Sequence, residues 1–147
     1  MTANVTTRIS IAASASEVFE YLTNLKYYLL WNPQITNLSG HGKLKLNSTY
    51  STTSNVLGVT IKSKNVITKF RADKLIQIEN KTGLVHYIAR FTLKPDRKKT
   101  LVICATTVSS ESSAFAFAVP VLKLLARREL QTDLQALKLA CEHQLLQ

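Results

Sequence analysis

TRISIAASASEVFEYLTNLKYYLLWNP, residues 7–33, changes its hydrophobic period part-way along. Thr7, Ile9 and Ile11 alternate with Arg8 and Ser10, the period of a half-buried strand, whereas Val18, Phe19, Leu22 and Leu25 recur at helical spacing. A strand therefore enters two short helical turns that end at Trp31-Asn32-Pro33. Such an entry describes the wall of a container rather than its contents.

Downstream, from 35 to 109, strand-like runs are separated by turn residues, and no helical stretch is long enough to serve as a crossover. Antiparallel meander pairing is expected. The runs 49–53, 59–70, 75–79, 85–93 and 101–108 are rich in Val, Ile, Thr and aromatic residues. Asn80-Lys81-Thr82-Gly83 and Pro95-Asp96-Arg97-Lys98 read as turns. In the run from Val85, the residues Val85, Tyr87, Ala89, Phe91 and Leu93 share one face, and His86, Arg90, Thr92 and Lys94 share the other, with Ile88 as the exception. One face is expected to be buried and the other wet.

Beyond 109 the period becomes helical. Leu122, Ala126, Leu130, Leu134, Leu137, Cys141 and Leu145 form a stripe at intervals of four and three, which predicts a long amphipathic helix with Pro120 in or near its first turn. Lys123, Arg127, Arg128, Asp133, Lys138 and Glu142 fall mainly off the stripe and are expected to face water.

The 147 residues, of which 46% are hydrophobic, suffice for one packed core, so a single domain over 1–147 is expected. No basic segment followed by an apolar run opens the chain, and no apolar run approaches the ~20 residues of a bilayer helix. Secretion and membrane spanning are disfavoured, and a cytoplasmic location is expected. Cys104 and Cys141 match no metal-ligand spacing and no disulfide framework, and both read as reduced core thiols. Neither a metal nor a cofactor is expected.

The formal charge is +10, and no Asp or Glu lies between Glu20 and Asp73. Lys26, Lys43, Lys45, Lys62, Lys64, Lys69 and Arg71 fall in that interval, and Arg97, Lys98 and Lys99 form a second cluster. Such a field attracts RNA, acidic lipid headgroups or anionic ligands, but its commoner effect is to keep a protein soluble. Nucleic acid ranks low as a partner, because the aromatics sit at apolar strand positions and the chain has only four Gly. Peripheral contact with an anionic membrane stays open. No residue pattern fixes an oligomeric state.

Strand, two short helices, antiparallel meander and one long last helix are the elements of the helix-grip fold, an α+β architecture in which a curved sheet wraps the C-terminal helix. Ile11-Ala12-Ala13-Ser14-Ala15-Ser16-Glu17-Val18-Phe19 looks like the opening shared by proteins of that fold. Trp31-Asn32-Pro33 is similar to their Trp-x-Pro segment, and Leu134-Gln135-Ala136-Leu137-Lys138, with Glu142 beyond, to the end of the last helix in many bacterial members. On these motifs the whole chain resembles the START-like (SRPBCC) superfamily, which includes the polyketide cyclase/dehydrase and lipid-transport proteins and the Bet v 1-like plant proteins. Two stretches depart from the pattern. Leu46-Asn47-Ser48-Thr49-Tyr50 stands where many members have Gly in a Val-Gly-x-x-Tyr turn, and Asn is the next most tolerant residue for a positive φ. Asp96-Arg97-Lys98-Lys99-Thr100 replaces a common Gly-Gly-Thr hairpin and places cations at one rim.

The resemblance implies a cavity between sheet and last helix that holds an apolar small molecule of lipid, sterol-like or polyketide-like kind. It does not imply catalysis, since one fold hosts many functions. Candidate lining residues are Tyr50, Tyr87 and Phe91 from strands, Trp31 from the second helix end, and Phe115 and Phe117 from the approach to the long helix. Core packing competes with that role at each aromatic, most of all at Trp31 beside the Pro33 corner. The apolar run 115–119 would cover a cavity mouth.

Catalytic groups are scarce. His41 lies between Gly40 and Gly42 in a loop, His86 on the wet strand face and His143 near the chain end, and none pairs by spacing with a carboxylate. Asp73, Glu79 and Asp96 sit near turns or strand ends, so no paired-carboxylate site assembles. Phosphate loop, serine elbow and His/Cys metal cluster are all missing from the sequence. A catalytic role for Cys104 would need a neighbouring base, and an inert strand thiol is expected instead. Three readings follow. The first is a non-enzymatic binding protein; the second is a polyketide cyclase or dehydratase with Tyr or His as proton carrier, which a buried carboxylate or His in the cavity would favour. The third is a membrane- or ribosome-associated regulator drawn by the basic field, whose sign would be binding that falls steeply with salt.

Overall fold

The computed structural model describes residues 2–56, 59–83, 85–110 and 119–143. Strand β1 (Thr2–Ile11) keeps its alternation throughout, with Ala3, Val5, Thr7 and Ile11 buried. Ser14 then starts helix α1 (Ala15–Thr23), its hydroxyl accepting from the Glu17 amide at 3.2 Å, as an N-cap should. Val18, Phe19 and Leu22 form the buried face of α1. Asn24 closes α1 and opens a 3₁₀ turn (Leu25–Tyr27) by accepting from the Lys26 amide at 3.0 Å. Helix α2 (Tyr28–Trp31) follows directly.

Six further strands complete the sheet: β2 (Ile35–Ser39), β3 (Thr49–Val56), β4 (Val59–Arg71), β5 (Leu75–Asn80), β6 (His86–Asp96) and β7 (Lys99–Ser109). All pair antiparallel in the order β1-β7-β6-β5-β4-β3-β2, so α1 and α2 carry the chain from one sheet edge to the other. Register shifts between Ile35 and Asn37 and between Ile67 and Lys69 bend their strands and add twist. Asn47 takes the positive φ expected of it, 71°, and its amide donates to the Ile67 carbonyl at 2.9 Å. In the β6–β7 hairpin the two-residue loop puts Arg97 at φ 59°, a position that glycine would fill without strain. Asn80 holds the β5–β6 turn: its Oδ1 accepts from the Thr82 hydroxyl at 2.7 Å and its Nδ2 donates to the Val85 carbonyl at 2.8 Å.

Helix α3 (Val119–His143) lies across the curved sheet against β1, α1 and α2. This is the helix-grip α+β fold. Leu134, Leu137 and Cys141 of the stripe are buried against Ile11, Phe19 and Trp31 of the common core. Cys104 and Cys141 are both free and buried, and burial pushes each thiol up to about 12, so both are inert. Two expectations for α3 need correction. Lys138 and Glu142 are half-buried and clamp α3 to the end of β1: the Lys138 ammonium donates to the Ser10 carbonyl at 2.9 Å and to Glu142 at 2.7 Å, and Glu142 accepts from the Ala12 amide at 2.7 Å. Asp133, read as water-facing, is 7% exposed. It follows Leu130 by three residues and precedes Leu137 by four, which places it on the buried face.

Candidate functional site

Between the sheet, α2 and α3 lies a cavity of about 340 Å³. Val85 just before β6, and Tyr87, Ala89 and Phe91 from its inward face, line it in the alternation read from the sequence. Ile78 of β5, Val108 of β7 and Leu130 of α3 extend the apolar lining, and Tyr28 and Trp31 close one end from α2. Trp31 is fixed from three sides. Its indole N–H donates to the Tyr21 carbonyl at 3.0 Å, and its ring meets Tyr28 and Phe91 edge-on at centroid distances of 5.0 and 5.5 Å.

Polar side chains interrupt this apolar lining, among them Gln34, Thr52, Ser63, Thr106 and Asp133. On the sheet side, Asn65, fully buried, donates to the Tyr50 carbonyl at 3.3 Å and to the Thr52 hydroxyl at 3.2 Å. Its side-chain oxygen is thereby turned toward the Tyr87 hydroxyl, which donates to it. Tyr28 and Tyr50 join hydroxyl to hydroxyl at 2.8 Å. Burial raises the phenols of Tyr28, Tyr50 and Tyr87, so they remain protonated and act as hydrogen-bonding groups, not bases.

On the helix side stands Asp133. Its Oδ2 accepts from the Gln34 side-chain amide at 3.2 Å, while its Oδ1 and the Gln34 Oε1 are buried with no hydrogen-bond partner among the described residues. Burial pushes the carboxyl up to about 8, the Gln34 hydrogen bond works against that rise, and the Glu129 carboxylate one turn earlier adds to it. A carboxyl poised near neutral pH beside an apolar cavity can donate a hydrogen bond, give up a proton or receive a cation. The described residues contain no group of three or more His, Cys, Asp or Glu that could hold a metal.

A family model described as polyketide cyclase / dehydrase and lipid transport matches residues 2–142. The chain belongs to that family. Solved structures agree on the fold of this family member. A protein from Thermus thermophilus is 12% identical, with a TM-score of 0.83 over 94% of this chain and 96% of that one. The Zhui aromatase/cyclase from a Streptomyces species is 15% identical, at 0.81 over 99% and 96%. A START superfamily protein from Mycobacterium smegmatis is 20% identical, at 0.78 over 97% and 98%. A search of curated proteins finds no match.

Of the residues singled out from the sequence of this family member, Trp31, Tyr87 and Phe91 line the cavity. Tyr50 sits behind the wall, reaching it through Tyr28. Phe115 and Phe117, with the run 115–118, lie outside the described residues. Sequence reasoning missed Tyr28, Asn65, Gln34 and Asp133. The spacing of Asp133 from Leu130 and Leu137 carried the signal for one of them.

Proposed function

We propose that the chain binds an apolar small molecule, of lipid, sterol-like or polyketide-like class, in the cavity between the sheet and α3, within a single domain over 1–147. The supporting observation is the cavity itself: about 340 Å³ with aromatic and aliphatic walls, at the small end of the ~300–1,000 Å³ typical of ligand sites. A ligand that buries ~200 Å² of apolar surface gains ~5 kcal/mol before association costs, so apolar enclosure supplies most of the affinity and hydrogen bonds set orientation. A cytoplasmic location goes with this reading. Among the described residues no helix is long and apolar enough to cross a membrane. Native mass spectrometry of the protein purified from its source should show a bound small molecule, and an apolar fluorescent probe should bind with one-to-one stoichiometry. Phe91→Ala should weaken the probe about tenfold. A folded protein that takes up no apolar probe would refute the reading.

A second reading, a polyketide cyclase or dehydratase, gains from Asp133. A buried carboxyl held up to about 8 can pass a proton to a ketone oxygen and take one back at neutral pH. Incubation with a poly-β-ketone thioester mimic tests it: Asp133→Asn should remove turnover while leaving binding intact. Turnover equal to the parent would exclude Asp133 as the proton carrier.

A further inference from the structure

Among the described residues, the ionisable carboxyls of the cavity are opposite in kind to the cationic excess of the chain. The protein carries a formal +10, yet the charged residues lining the cavity among those described are Glu129 and Asp133, both acidic. None of the residues left undescribed is a Lys, Arg or His, so the sequence offers no hidden side-chain cation to offset them. Two buried acceptors, Asp133 Oδ1 and Gln34 Oε1, have no partner among the described residues, and the Gln34 amide N–H₂ is already directed at Asp133. Gln34 Oε1 at any pH, and the Asp133 carboxylate once it is ionised, are acceptors without donors and call for a ligand that brings donors. Tyr28, Trp31, Tyr87 and Phe91 line the same cavity, and aromatic ring faces suit a cation better than an anion.

We propose that the cavity selects an apolar ligand with an amine head, which seats as an ammonium ion against the Asp133 carboxylate and donates a further hydrogen bond to Gln34 Oε1. This rests on the ligand-binding reading above and names the ligand's chemistry. Among the described residues, the titratable groups coupled electrostatically to Asp133 are Glu129 from its own helix, Tyr28 from α2 and Cys104 from β7, and Gln34 from the segment between α2 and β2 hydrogen-bonds to it. Burial raises both the Tyr28 phenol and the Cys104 thiol, so neither competes for the proton near neutral pH.

The proton balance is simple. Free Asp133 holds its proton up to about pH 8, and an ammonium ion that takes its place against the carboxylate releases that proton to solvent. No bond other than the carboxyl O–H breaks. Affinity for an amine should therefore rise close to tenfold per pH unit below 8, then flatten until the amine itself deprotonates near pH ~10.

Titration calorimetry of the full chain with decylamine, decanol and decanoate, from pH 6 to 9, tests this. At pH 8 decylamine should bind at least tenfold tighter than decanol, with decanoate weakest. Nonspecific adsorption to a surface of charge +10 would give the reverse order of the two ions. Near pH 7 the reaction should release close to one proton per amine, read from the dependence of the heat on buffer. Asp133→Asn should abolish both the pH slope and the preference for amine while retaining decanol. Equal binding of decanol and decylamine, or a flat pH profile in the parent, would overturn the amine assignment alone. Binding of none of the three would overturn the cavity reading with it. Should Asp133→Asn not fold, proton release and pH slope in the parent decide the question.

Discussion

Asp133 should make the fold weaker, not stronger, above pH 4. Its carboxyl loses a proton near 3.8 in water and near 8 in the folded chain, chiefly because burial penalises the charged form. Between those values the folded state holds a proton that the unfolded state has given up, so stability falls as pH rises from about 4 to about 8 and is level above that. Four decades of acidity at ~1.4 kcal/mol each set a ceiling of about 6 kcal/mol, and water entering the cavity lowers it, giving ~2–4 kcal/mol as the expected loss. Asp133→Asn keeps the shape and can still accept from Gln34 without the proton. Urea unfolding of both proteins at pH 4.5, 6, 7 and 8.5 checks this, and their difference cancels the contributions of every other carboxylate. The variant should match the parent at pH 4.5 and exceed it by ~2–4 kcal/mol at pH 8.5. Parallel curves, or a variant weaker than the parent at pH 8.5, would refute the reasoning.

Leu134→Ala or Leu137→Ala should each cost ~2–5 kcal/mol by urea midpoint, because both side chains are buried in the centre of the core, and an unchanged midpoint would mean the stripe faces elsewhere. Gly40 sits at φ 143°, and a methyl there would lie 2.9 Å from the Tyr50 Cβ, so Gly40→Ala should cost ~1–3 kcal/mol in the same assay. Reversing the charges of Arg97, Lys98 and Lys99 should leave the midpoint unchanged, since all three side chains are exposed. Any binding of the parent to anionic vesicles should fall in that variant, and identical salt-dependent curves would exclude the cluster from membrane contact.

Where burial follows a simple period, the sequence was readable. The alternation of Val85 to Leu93 and the stripe from Ala126 to Cys141 each set one face against the core, and together with the turn chemistry of Asn47 and Asn80 they determine the fold. The polar half of the site was harder to read, because Asn65, Gln34 and Asp133 are ordinary surface residues by type. Asn65 is buried because β4 places it between the Tyr50 carbonyl, Thr52 and Tyr87, three partners from two other strands that only the register brings together. Gln34 meets Asp133 across 99 residues of sequence, a separation that no local pattern reports. Asp133 was legible in principle, since helical spacing puts it on the face of Leu130 and Leu137. Its charge outweighed its position, although a carboxyl that can hold a proton is not confined to the surface.

The same carboxyl ties stability to binding, and the two can be read in one experiment. A ligand that binds only the folded chain raises its stability by RT ln(1 + [L]/Kd), so at a fixed concentration an amine gains most where its affinity is highest, near pH 8 and above. That is also where the unliganded parent is weakest, because Asp133 has then lost its proton without gaining a partner. The thermal shift produced by decylamine should accordingly grow from pH 6 to pH 8.5, while that produced by decanol stays level. In Asp133→Asn the two shifts should be equal at every pH. A decylamine shift that is independent of pH in the parent would separate the two roles: the carboxyl would still weaken the fold, but it would not be what the ligand's head meets.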